Sequence, residues 1–167
     1  TYGDADFTVT ATASSGLAVS FAATGNCTIA ATTVTITGAG SCTITASQAG
    51  NTNYNAALNV PQTFSIAKAD QTITFDPLAD KTASDPPFTV TATASSGLAV
   101  SFAATGNCTV SGDTVTLTDA GSCTITASQS GNSDFNPAPD VARTFTITSV
   151  EANQTVTFGR IRGQDAR

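Results

Sequence analysis

Phe88–Thr109 reads FTVTATASSGLAVSFAATGNCT, and Phe7–Thr28 reads the same, residue for residue, at an offset of 81. The offset continues without a gap, carrying Cys27 onto Cys108, Cys42 onto Cys123, Tyr54 onto Phe135 and Phe64 onto Phe145. Self-similarity at a fixed period marks a repeat architecture, so both units are expected to share one fold. The register then slips. Gln71–Phe75 (QTITF) recurs as Gln154–Phe158 (QTVTF) at an offset of 83, making the second linker two residues longer. Thr1 aligns with Thr82, so we expect the chain to start partway through a repeat. The expected organisation is residues 1–67 as a unit lacking its own first strand, 69–149 as a complete unit, and 151–167 as the opening strand of a third repeat or a donor strand.

Alternation with period two marks strands. In FTVTATA the residues Phe88, Val90, Ala92 and Ala94 take one face and threonines the other; in LAVSF the inward set is Leu98, Val100 and Phe102. Further short strands are expected at CTV, TVTLT, SCTITAS and RTFTI. Ser-Ser-Gly, Thr-Gly-Asn, Ser-Gly-Asp, Asp-Ala-Gly and Ser-Gly-Asn supply turn chemistry between them. With QTITF the count reaches seven per unit. Seven short alternating strands without helical periodicity predict an all-β chain of two tandem Greek-key immunoglobulin-like β-sandwiches, plus a surplus C-terminal strand. Threonine suits the solvated face of such sheets.

Each unit is near the lower size at which one core suffices without staples. The four cysteines provide them. Cys27 and Cys42 enclose one hairpin and Cys108 and Cys123 repeat the spacing, so each unit is expected to close its own disulfide, which places the chain in an oxidising, extracellular setting. Zinc is the rival reading. It wants four converging ligands and commonly histidine, yet the chain has no His and its cysteine pairs lie in separate units, so no metal or other cofactor is expected. Twelve acidic against six basic residues leave a net charge of −6, which repels nucleic acid and anionic membrane. No apolar run is long enough to insert into a bilayer. No basic-then-apolar leader opens the chain, so a mature or excised segment is expected.

The segments ASSGLAVSFAATGNC, TVTLTDAGSCTITASQSGNSDFNPAPDV and AKADQTITF resemble the bacterial immunoglobulin-like (Big/MBG-type) tandem repeats of large secreted or cell-surface proteins, over essentially the whole chain. The resemblance implies an extracellular module serving as stalk, spacer, adhesin or enzyme appendage. Many members of that family carry no cysteine pair, so the pair here is a local reinforcement. A fold of this kind does not by itself assign a function.

Catalysis finds little support, since histidine is absent and Lys68, Lys81 and Arg143 fall near linkers or strand ends, so no enzyme is expected. Asp76, Asp80 and Asp85 cluster between repeats, with Asp4 and Asp6 in the corresponding stretch of the first unit. Solvated linker charge is the plain reading, and an interdomain calcium site the sharper one. Alternating threonines (Thr89, Thr91, Thr93; Thr114, Thr116, Thr118) form either a hydroxyl-and-methyl array for ice or polysaccharide or simply the wet side of a sheet. A sugar platform wants exposed aromatics, but there is no Trp, and Tyr54 is replaced by Phe135 in the twin, which predicts a core ring there. An intramolecular isopeptide bond needs a strand lysine that the second unit lacks. The sequons at Asn26, Asn107 and Asn153 are formal matches, two of them with a cysteine at the middle position.

Three functions compete: a structural segment of a stalk or filament, an adhesin module contacting a surface glycan or protein, and an accessory domain of a secreted enzyme. Identical loops in both units favour the spacer. The expected partners are copies of the chain itself or adjacent repeats of the same polypeptide. The tail bears on this, because Gln154, Val156 and Phe158 match Gln71, Ile73 and Phe75. A sandwich missing an edge strand leaves unpaired backbone groups and an open apolar groove, so the tail is expected to donate its strand to the first unit of another copy, or of a covalent neighbour, by β-augmentation.

Overall fold

The structure, a computed structural model, describes residues 1–151 and 154–157 and contains only strands and connecting turns among them. The first unit has two three-stranded antiparallel sheets. One joins β1 (Phe7–Thr8), β4 (Thr33–Ile36) and β3 (Cys27–Ala30); the other joins β2 (Ser20–Gly25), β5 (Gly40–Ser47) and β6 (Val60–Ile66). The second unit repeats both. Its first sheet joins β9 (Phe88–Thr89), β13 (Thr114–Leu117) and β12 (Cys108–Ser111). Its second runs β11 (Ser101–Gly106), β14 (Gly121–Ser128), β15 (Val141–Thr148), with β8 (Lys81–Thr82) added parallel to β15. In addition β7 (Ile73–Phe75) pairs antiparallel with β10 (Ala92–Ala94). The pairing of β2 with β5, Ser20 to Ser47 through Gly25 to Cys42, recurs as Ser101 to Ser128 through Gly106 to Cys123.

Two expected strands change shape, and both changes have local causes. FTVTATA is divided into β9 and β10, because Phe88 and Thr89 pair with β13 whereas Ala92–Ala94 pair with β7. The chain changes partner at Val90, whose N–H is held by Asp113 O. The strand read at LAVSF begins only at Ser101. Upstream, the Gly97 N–H donates to Ala94 O, Gly97 takes a φ of 75°, and Leu98 N–H donates to Ser96 Oγ, so this stretch is a turn. The alternation itself holds: Val90 and Ala94 are buried, Phe88 and Ala92 half-buried, and the intervening threonines exposed.

Each unit has its own apolar cluster. The second gathers Ile73, Phe75, Val90, Ile125, Ala127, Phe145 and Ile147 around Cys108 and Cys123. The first is smaller, with Val34, Ile44 and Ile66 around Cys27 and Cys42. Cys27 bonds Cys42 and Cys108 bonds Cys123, each with Cα atoms 5.6 Å apart. Both bridges run between sheets, from β3 to β5 and from β12 to β14, and so staple the sandwich-like layers of each unit where a small core has least to spare.

Candidate functional site

Two features distinguish otherwise matching units. The first is a groove of about 500 Å³ on the first unit, floored by Val9, Phe21, Ile44 and Ala46 and walled by Ala57 and Val60. Ala11–Ala13 border it, and among the described residues no strand pairs with them. The corresponding residues of the second unit, Ala92–Ala94, are covered by β7. Burial follows the cover. Val90, Ala127 and Ala138 are buried, whereas their counterparts Val9 and Ala46 are half-buried and Ala57 is exposed. Val60 is 53% exposed and Leu58 91%.

The second feature is the joint between units. Asp134 Oδ1 accepts the N–H of Ala39 at 2.8 Å, and Lys68 Nζ donates to Asn132 O at 2.6 Å. Phe135 packs edge-on against Tyr2, ring centres 5.4 Å apart. Its backbone bridges Ala69 of the linker, where the Ala69 N–H donates to Asp134 O and Asn136 N–H to Ala69 O. Sequence reasoning missed this joint, although a signal existed. Tyr2, Gly38 and Asp134 stand where the other unit has Ala83, Asp119 and Asn53. A Cβ at Gly38 would stand 3.2 Å from Asp134 Oδ1, so glycine leaves the room that the carboxylate uses. In the second unit Asp119 occupies that position and its own Oδ1 accepts the Ala120 N–H at 2.7 Å, closing the turn on itself. The expectation of a core ring at Tyr54 and Phe135 is corrected: Tyr54 is 51% exposed and Phe135 is half-buried at the joint, because the loop carrying them lies outside the sheets.

The acidic residues do not assemble. Asp80 Oδ1 accepts the Thr146 N–H, Asp85 accepts both Thr82 Oγ1 and the Thr82 N–H, and Asp6 Oδ2 accepts Thr35 Oγ1. Among the described residues no three His, Cys, Asp or Glu side chains converge as for a metal ion. The Thr82 hydroxyl, then the Thr82 amide and the nearby Lys81 charge, hold the Asp85 carboxyl below its ordinary value. Lys81 itself lies 4.6 Å over the Phe88 ring, and Arg143 Nε donates to Phe75 O at 2.8 Å. Thr89, Thr91, Thr93, Thr116 and Thr118 are exposed and Thr114 half-buried. The amides of Asn26 and Asn107 are half-buried and donate to Ala39 O and Ala120 O, while Asn153 lies outside the described residues. Of the strand-donor residues, Gln154 and Val156 are exposed and in no strand, Val156 at 90%, and Phe158 lies outside the described residues. No family model matches the chain, and no curated protein matches its sequence.

Proposed function

We propose that the chain is a structural segment of an extracellular stalk or filament, built from tandem bacterial immunoglobulin-like repeats of Greek-key topology and joined head to tail through its C-terminal strand. The observation that carries this reading is the joint. A flexible tether needs no contact across it, whereas here Asp134, Phe135 and Lys68 tie the second unit to the turn, the linker and the Tyr2 ring of the first. These contacts use positions at which the repeats differ, as a spacer that must hold an angle requires. The strand orders β9-β13-β12 and β11-β14-β15 support an immunoglobulin-like arrangement, since β11 and β12 are adjacent in sequence but lie in different sheets. Two disulfides support an oxidising location. The expected chemistry is mechanical rather than catalytic.

Small-angle X-ray scattering of the full chain carrying Val156→Asp and Phe158→Asp, which removes the head-to-tail joining, tests the proposal. Two lobes at one fixed separation are expected, with Asp134→Ala broadening the distribution of separations. A broad distribution without the Asp134 substitution would sink the reading.

A further inference from the structure

The basic side chains among the described residues are Lys68, Lys81 and Arg143. An endoprotease that cuts after lysine or arginine asks two things of such a site. The basic group must enter an acidic pocket, and the backbone on both sides of the scissile bond must be free to lie extended in the cleft, so hydrogen bonding and burial decide whether the bond is cut. All three sites are closed, for different reasons. Arg143 lies inside β15 opposite Ile125, and its Nε donates to Phe75 O. Lys81 lies in β8, paired with Ile147, and its carbonyl accepts the Thr148 hydroxyl at 3.2 Å. Freeing either residue takes apart a sheet of the second unit.

Lys68 differs, since it is exposed and belongs to no strand. What closes it is the joint. Its ammonium is engaged by Asn132 O. Beyond the scissile bond the Ala69 N–H donates to Asp134 O at 2.9 Å, Ala69 O accepts the Asn136 N–H at 2.8 Å, and Asp70 Oδ1 accepts Asn136 Nδ2 at 2.8 Å. Before it, Ala67 O accepts the Tyr2 N–H at 2.9 Å. The second unit's loop of residues 132–136 therefore covers the linker. The same loop reaches the first unit, because Asp134 holds Ala69 through its carbonyl and Ala39 through its carboxylate. No disulfide spans Lys68, since one bridge closes at Cys42 and the other opens at Cys108. A cut there leaves the two units held by the joint contacts alone.

We propose that the Lys68–Ala69 bond is a cryptic cleavage site, withheld by the closed joint from endoproteases that cut after lysine and yielded to them when the joint opens. The step is a hydrolysis. The C–N bond breaks, the oxygen of a water molecule bonds to the Lys68 carbonyl carbon, and a proton of that water passes to the Ala69 nitrogen, leaving the Lys68 carboxyl and the Ala69 amine. Asp134 acts as a positioning residue, because one side chain and one carbonyl make release of the first unit and release of the linker a single event. Local opening of this kind needs neither sandwich to unfold. A segment strained past its set angle is therefore cut between its units and not within them.

The proposal rests on the joint of the stalk reading, and its test keeps the two apart. Trypsin is the probe, applied to the full chain carrying Val156→Asp and Phe158→Asp, with fragments identified by mass. A peptide of residues 62–74 (QTFSIAKADQTIT) sets the rate of the open site. The folded chain is expected to be cut after Lys68 far more slowly than the peptide. Adding Asp134→Ala should raise that rate by about tenfold or more, the scale of one lost hydrogen bond to a charged acceptor when cleavage follows the population of the open form. Gly38→Asp, which installs the residue that the second unit carries at that position, should do the same. Lys81 and Arg143 should stay uncut in both variants. A bond after Lys68 that is cut as fast as the peptide's overturns the proposal, as does one that stays resistant in both variants, or a variant cut first at Lys81 or Arg143. Scattering reads the stalk separately: one fixed separation with rapid cleavage after Lys68 removes the cryptic site and leaves the stalk, whereas a broad separation removes the stalk reading whatever the protease does.

Discussion

Ala31 is the one non-glycine residue with positive φ among those described, at 54°, and its counterpart Gly112 takes 62° at the same turn. The turn between β3 and β4 spans two residues and turns back sharply, so its first position must enter the left-handed region, where a Cβ costs about 1–2 kcal/mol. Ala31→Gly relieves that cost and adds about 0.5–1 kcal/mol of backbone entropy to the unfolded state. A net gain of about 0.5–1 kcal/mol is expected in urea unfolding of the first unit. The disulfides act with the opposite sign. Replacing Cys108 and Cys123 together by alanine releases a 15-residue loop, which removes about 3 kcal/mol and should lower the second unit's thermal midpoint by about 10–20 °C by calorimetry. Both cysteine pairs and the Ser-Gly-Asp turn are readable from spacing, but the strain at Ala31 emerges only from comparing it with Gly112 in one backbone geometry.

At the scale of elements, the short strand β8 and the turn after it depend on Asp85. The Thr82 hydroxyl donates to Asp85 Oδ1 at 2.6 Å and the Thr82 N–H to Oδ2 at 3.0 Å, and these bonds favour the carboxylate. A carboxyl whose folded value is depressed stabilises the fold above its unfolded value and loses that contribution as pH falls through the folded one. Carboxyl NMR should therefore show Asp85 titrating below the ordinary aspartate range, with the β8 amides loosening over the same interval. Thr82→Ala should move the midpoint upward, and an unmoved midpoint would reject the assignment. The joint is the other element-scale device. Asp134→Ala removes the acceptor for the Ala39 N–H, and relaxation-derived correlation times are expected to report two units tumbling more independently, while each unit's melting changes little. Neither device is legible from local pattern, since Asp85 sits in a proline-flanked linker and Asp134 in a loop that reads only as turn chemistry.

For the whole molecule, nearly equal sequences give unequal cores, and stability should follow. The second unit buries Ile73, Phe75 and Val90 in a continuous cluster, while the first leaves Val9 and Ala46 half-covered beside the groove. Covering a single valine or phenylalanine side chain contributes about 1.5–3 kcal/mol. Hydrogen exchange is expected to show lower protection across β1, β2 and β5 than across β9, β11 and β14. Saturating QTITF peptide should raise the first unit's protection toward the second's. Equal protection without peptide would mean that the groove costs nothing. The all-β class, the cysteine pairs and the inward faces of FTVTATA followed from the sequence alone, because alternation and duplication are properties of neighbouring residues. The open groove followed from the missing strand, whereas the residues it leaves uncovered, the joint and the exposed Tyr54 did not. Burial at Val9 or Val90 depends on whether a strand distant in sequence lies against it, and the two residues sit in identical 22-residue segments. Only the tertiary structure distinguishes them, since a local pattern states which face seeks cover and the packed chain decides whether that face receives it.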